Sequence, residues 1–199
     1  MRRIKWLFAF SYLLLAIIPC AAAAQEEMPP VTSEIWTDKY DRIFSKYAKH
    51  YFGAGIDWKW FKAQAIAESN LKDNAKSWVG AKGIMQIMPR TFEEIRQKNP
   101  EYSSITEPRW NIAAGIYYNS QMYNRWKDIP DHPERLRFMF ASYNAGRGTM
   151  LRAQRVSREQ GYGGLLWQEI VAVATEVPRW RHSETIGYIS KIHILMNNK

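Results

Sequence analysis

Apolar residues in this chain recur at three- and four-residue spacing, and neither a βαβ rhythm nor a series of strand hairpins interrupts them. That pattern excludes sandwiches, barrels and doubly wound sheets, and predicts a mainly α domain with at most a small β element. Asp57 is placed to cap a helix in which Phe61, Ala65 and Glu68 fall at i, i+4 and i+7, with Trp60, Ala63 and Ala67 beside them. A glutamate therefore lies along an otherwise apolar stripe. Residues 74–83 are small and turn-forming and read as a loop, and residues 83–88 read as short and extended. Pro89 then occupies the favoured first position of a helix to about residue 98. Ile112, Gly115, Ile116, Met122 and Trp126 predict a central helix over 110–126. Asp131, Pro133 and Glu134 resemble a capping box that starts a helix over 134–144, stopped near Gly146. Ile186, Ile189, Ile192 and Met196 mark a last helix over 183–196. Between them, residues 146–178 carry Arg152, Arg155, Arg158, Gly161, Gly163 and Gly164 and are longer than a minimal domain requires.

The first 24 residues have a basic start (Arg2, Arg3, Lys5), an apolar run over 6–19 and a small-residue stretch, Ala21 to Ala24, before Gln25. This is the layout of a secretory signal peptide cleaved after Ala24. The stretch from Trp6 to Ala24 is just long enough to serve as an uncleaved membrane anchor, and Cys20 raises a third option, acylation, which Ile18 and Pro19 disfavour. We divide the chain into a signal peptide (1–24), a leader and first helix region (25–45) and one domain (46–199), with a periplasmic or secreted location expected. Cleavage would remove Arg2, Arg3 and Lys5 and no acid, taking the net charge from +9 to +6 and leaving no cysteine. Disulfide frameworks and thiolate metal clusters are thereby excluded. A basic chain outside the cytoplasm is expected to meet an anionic cell wall rather than nucleic acid.

Several chemistries are missing. The histidines, His50, His132, His182 and His193, are scattered and form no metal-binding spacing. There is no G-x-S-x-G elbow, and the glycines at 161–164 lack the Lys-Ser or Lys-Thr of a phosphate cradle. No metal or other cofactor is expected, and carboxylate chemistry remains. Packing the stripe that carries Glu68 would strip water from its carboxyl and raise its pKa above the usual value of about 4.3, as a proton donor near neutral pH requires. Taken alone, such a glutamate is better explained by a salt bridge at a helix end. Asp73, the nearby acid, reads as a solvated turn residue.

Four segments, in order, carry a resemblance: Glu68-Ser69, then Ser77-x-x-Gly80-Ala81-x-Gly83-Ile84-Met85-Gln86-Ile87-Met88-Pro89, then Ala141-Ser142-Tyr143-Asn144-Ala145-Gly146, then Glu184-Thr185-Ile186-Gly187-Tyr188-Ile189. Over residues 58–192 the chain resembles the catalytic domain of the soluble Slt-type lytic transglycosylases, bacterial cell-wall enzymes with a goose-type-lysozyme-like fold. Ile189 stands where that family has valine. The resemblance implies that Glu68 is the catalytic residue, serving first as acid and then as base. It implies cleavage of the β-1,4 bond between N-acetylmuramic acid and N-acetylglucosamine in peptidoglycan. The substrate's own C6 hydroxyl then closes a 1,6-anhydro ring, helped by the 2-acetamido group and by the high effective concentration of a tethered nucleophile.

It also implies substrate-binding roles for Ser77, Gln86, Met88, Tyr143, Asn144, Glu184 and Tyr188. Each has a plainer use: a turn for Ser77, a solvated side chain for Gln86, a helix cap for Asn144, a first-turn acid for Glu184, and core packing for Met88 and Tyr188. Tyr143 is expected to hold Glu68 or substrate by its hydroxyl, and Trp78 and Trp110 either stack sugars or pack. Peptidoglycan glycan strands are the expected partner of a monomer that takes no nucleic acid and meets a membrane only if the N-terminal segment is retained. A goose-type lysozyme that uses water, and a wall-binding or secretion-system scaffold without activity, are the alternatives.

Overall fold

The computed structural model describes residues 36–198. The expected signal peptide, Cys20 and most of the leader therefore lie outside the described residues. Within these bounds the chain forms eight α-helices: α1 (Asp41–Phe52), α2 (Lys59–Ser69), α3 (Pro89–Arg96), α4 (Pro108–Arg125), α5 (His132–Ala145), α6 (Arg147–Glu159), α7 (Trp167–Ala172) and α8 (His182–Asn197). Short 3-10 turns follow α1 and α7. No strand forms among the described residues; the β element is reduced to isolated bridges of Lys82 with Lys76 and with Ile87. No described helix is long and apolar enough to cross a membrane.

Helices α4 and α5 pack together at the centre, with α1 against α4, α6 against α5, and α8 laid across both α2 and α5. Ile112, Ile116, Phe138, Phe140, Ile192 and Phe61 are wholly buried where these helices meet. The punctuation is local. Proline opens α3 and α4 and sits in the first turn of α5, where no N–H is needed. Asp131 caps α5 by accepting the Glu134 N–H at 2.9 Å. The expected reciprocal half of that capping box does not form: the Glu134 carboxylate turns away to Arg137 and to the Trp167 N–H at the start of α7. Asp57 accepts the Lys59 N–H at 3.0 Å, fixing the start of α2.

Two elements escape the pattern. Helix α1 runs across position 45, so the division drawn there falls inside an element whose Phe44 belongs to the common core. Lys62 ties α1 to α2, its buried ammonium held by the Asp41 carboxylate and the Thr37 carbonyl. Helix α6 fills the arginine-rich stretch after Gly146, whose φ of 83° lets one residue end α5 and start α6.

Candidate active site

Glu68 sits in the last turn of α2, which ends because Asn70 and Leu71 adopt left-handed backbone at φ 54° and 60°. Its Oε1 accepts the Tyr188 hydroxyl of α8 at 2.6 Å. The carboxyl is only partly open to solvent, and burial pushes its pKa up to about 7. The Tyr188 hydrogen bond and the Lys191 ammonium pull it down, while the Glu184 charge adds to the rise. Neutral and ionised forms are therefore both populated near neutral pH, the condition for one group to give and take a proton.

The loop after α2 is fastened on three sides. Ser69 Oγ donates to the Ile84 carbonyl at 2.8 Å, joining it to α2. Asn111 of α4 accepts the Met85 N–H at 2.7 Å through Oδ1 and donates through Nδ2 to the Lys82 and Ile105 carbonyls at 3.0 and 2.8 Å. Tyr143 of α5 donates to the Met85 carbonyl at 2.7 Å. Gly83 has φ 76°, and a Cβ there would stand 2.5 Å from Asn111 Nδ2, so only glycine lets the loop pass. Residues 83–88 are consequently a tight turn and not the extended segment expected: Gln86 adopts φ 45°, its N–H returns to the Gly83 carbonyl, and its side-chain Nε2 caps the same oxygen at 2.8 Å. Met85 is buried against Gly115, while Met88 remains 41% exposed.

Residues 44–163 match the family model described as the transglycosylase SLT domain, more than half of the chain. The chain belongs to that family. The chain is 29% identical over 150 residues to the membrane-bound lytic murein transglycosylase F of Shewanella pealeana, covering 75% of this chain and 29% of that protein. With the protein of the same name from Desulfosudis oleivorans the identity is 33% over 142 residues, covering 67% of this chain and 29% of that protein. This chain thus spans less than a third of the length of these relatives. Among solved structures it resembles the 70 kDa soluble lytic transglycosylase of Escherichia coli, with a TM-score of 0.60, 29% identity and coverage of 82% of this chain and 24% of that one. Lytic transglycosylase Slt of Pseudomonas aeruginosa, at 23% identity and TM-score 0.62 over 81% of this chain and 25% of that one, shares the fold.

The fold gathers several of the anticipated residues into two groups. Glu68, Tyr188 and Tyr143 are close enough that the Glu68 charge, after burial itself, raises both phenols further. The hydroxyl on the glutamate is that of Tyr188, where Tyr143 was expected to hold Glu68 or substrate; Tyr143 instead donates to the loop backbone and packs edge-on against Tyr118. Asn144 and Glu184 line a separate pocket of about 190 Å³ with Thr149, Arg179 and Trp180. Asn144 Oδ1 accepts Thr185 Oγ1 at 2.8 Å, and Thr185 accepts Trp180 Nε1 at 3.0 Å, so its amide is fixed by a chain from α8. Glu184 is ion-paired to Arg181 at 2.8 Å.

Ser77 Oγ accepts the Ala81 N–H at 2.9 Å within the turn. Beside it Trp78 is 88% exposed. Trp110 is half-buried, stacked on Tyr102 and covered by Arg109, and so serves packing. Asp73 binds the Tyr40 hydroxyl and Lys39, which hold it ionised below the usual carboxylate range. Gln64, Asn111, Asn119 and Lys191 are the site residues that sequence reasoning missed. A polar residue on a helix face carries no signal until the partner element is known, and Tyr188 stands 124 positions from Gln64. Among the described residues no group of three or more metal-ligating side chains comes together.

Proposed function

We propose that this chain is a lytic transglycosylase that cleaves the β-1,4 bond between N-acetylmuramic acid and N-acetylglucosamine in peptidoglycan, with Glu68 as its single acid and base. The observation that carries the reading is the state of Glu68: a partly buried carboxyl, oriented by Tyr188, whose pKa lies at about 7. A glycosidase that works with two carboxylates needs the second within roughly 5–10 Å, free to attack or to activate water. The other acid whose charge reaches Glu68 is Glu184, and it is tied to Arg181. A substrate that supplies its own nucleophile fits such a site.

In this reading Glu68 protonates the leaving glycosidic oxygen while the substrate's acetamido group supports the cation at C1. The resulting carboxylate takes the proton of the C6 hydroxyl as that oxygen closes on C1, and the group returns to its neutral form. Tyr188 keeps the carboxyl aimed through both halves. Met88 and Gln86 on the clamped loop, with Ser77 at its turn and Tyr143 behind it, form the proposed floor and wall for the cleaved sugar. Asn144 and Glu184 extend the surface to neighbouring sugar or peptide groups. The relatives named for lytic murein transglycosylase activity support the substrate class. We place the action outside the cytoplasm, in a monomer that needs no cofactor.

Digestion of purified peptidoglycan by the wild type and Glu68→Gln, with products weighed by mass spectrometry, tests the proposal. Expected are muropeptides lighter by one water than reducing-end forms, absent with the variant. Reducing ends would mean a hydrolase of goose-type-lysozyme kind, and binding without any release would mean a wall-binding scaffold.

A further inference from the structure

Behind Tyr188 the hydrogen bonds continue into the core. Gln64, one turn before Glu68 on α2 and without exposed surface, donates from Nε2 to the Tyr188 hydroxyl oxygen at 3.0 Å. Its Oε1 accepts Nδ2 of Asn119 on α4 at 2.6 Å, and Asn119 is equally buried. Helices α4, α2 and α8 thus contribute to one directed chain that ends on the Glu68 carboxylate.

We propose that Gln64 and Asn119 are positioning residues for Glu68: Asn119 fixes which way the Gln64 amide faces, and Gln64 thereby fixes which way the Tyr188 hydroxyl points. A primary amide presents an NH2 on one side and a carbonyl on the other, and turning it over exchanges them. As the amide stands, the Tyr188 oxygen receives an N–H, so its single hydrogen is free to go to Glu68. Turned over, the Gln64 carbonyl would compete for that hydrogen and Glu68 would lose it. The Asn119 N–H on Gln64 Oε1 holds the first arrangement. Packing alone does not call for this pair: Asn119 Oδ1 is buried with no partner, a penalty that two apolar residues would avoid.

The inference rests on Glu68 being the proton donor proposed above. The groups facing Glu68 are Tyr188, Lys191 and Glu184 from α8 and Tyr143 from α5. Of these, Tyr188 and Lys191 favour the ionised form. A phenol that accepts a hydrogen bond donates a stronger one, so losing the Gln64 N–H weakens the Tyr188 influence and leaves that of Lys191, and Glu68 should hold its proton to higher pH.

The test reads the carboxyl itself: a 13C NMR titration of the full chain labelled in glutamate, the Glu68 signal being the one that Glu68→Gln removes. The wild-type midpoint is expected near 7. Gln64→Met, Asn119→Leu and Tyr188→Phe should each raise it by roughly half a pH unit or more. Adding Gln64→Met to Tyr188→Phe should raise it no further, since both break the same link. A merely structural role would lower the melting temperature and leave the midpoint in place, and that result overturns the proposal, as does a further rise in the double variant. Should the amide variants fail to fold, the Gln64 side-chain 15N signal of the wild type decides: it must shift with the Glu68 midpoint, and a pH-independent signal overturns the relay. None of these readings depends on turnover, so a protein that made no anhydro ends would refute the proposed function while leaving the relay to stand or fall on its own titration.

Discussion

At Glu68 two opposing effects act on one group. Withdrawal from water favours the neutral acid, while the Tyr188 hydroxyl and the Lys191 ammonium favour the carboxylate, and the first prevails. The sign has a consequence for stability. With a folded pKa of about 7 against an ordinary 4.5, the folded chain retains a proton that the unfolded chain has lost across that interval. Stability therefore falls as pH rises from 4.5 to 7, is unaffected below it and carries the whole penalty above it. Glu68→Gln, always neutral and still an acceptor for Tyr188, should be more stable than wild type by about 3 kcal/mol at pH 8 and equal to it at pH 4. Urea midpoints at the two pH values check this, and a difference independent of pH would contradict it. Activity should fall on the alkaline side with an apparent pKa near 7 as the acid form is lost; a rate profile flat to pH 9 would count against Glu68 as donor. The glutamate itself was legible in the sequence, because it interrupts an apolar stripe next to ordered motifs. Its partners Gln64 and Asn119 were not, because only the tertiary fold brings α8 and α4 to them.

Among elements, the loop between α2 and α3 owes its shape to one asparagine. Asn111→Ala removes three hydrogen bonds and leaves the buried Met85 N–H unpaired, a loss of about 2–4 kcal/mol. Gly83→Ala should be at least as damaging, since it combines left-handed backbone with a Cβ 2.5 Å from Asn111. Gly53→Ala is the comparison for backbone strain alone: its φ of 75° and ψ of −165° suit glycine, but nothing lies within 4 Å of the added carbon, so its cost should be about 2 kcal/mol. Thermal denaturation of the three variants would refute the clamp if Asn111→Ala and Gly83→Ala were no worse than Gly53→Ala. The same loop shows how a pattern misleads. Met85, Gln86 and Ile87 alternate buried and half-exposed as a strand would, yet the left-handed Gly83 and Gln86 fold the segment back on itself. Helix α6 stayed hidden for another reason: its arginines mark the polar side, but its buried face is Thr149, Met150, Ala153, Gln154 and Ser157, and so carries no run of aliphatic residues to read as a stripe. Helices α2, α3, α4, α5 and α8 were readable where prolines, an aspartate cap or aliphatic residues at helical spacing marked them.

For the whole molecule, excess positive charge adds to the proposed one-carboxylate site. A chain with 28 basic against 19 acidic residues should be drawn to an anionic wall, so release of muropeptides from intact cell walls should weaken as salt rises. On short uncharged glycan fragments the same salt series should have little effect, and equal salt dependence on both would remove charge from the account. Helix α5 packs against α8, and α4 and α5 hold the clamped loop, so that Tyr188 and Lys191 of α8 and Tyr143 of α5 come to the Glu68 carboxyl at the end of α2. The claim that ties these scales together is that Glu68 serves both halves of a reaction in which the sugar, not water, supplies the nucleophile. Digestion of peptidoglycan in 18O-labelled water tests it most directly. The account predicts new chain ends that are lighter by one water and carry no label, whereas reducing ends bearing 18O would contradict it.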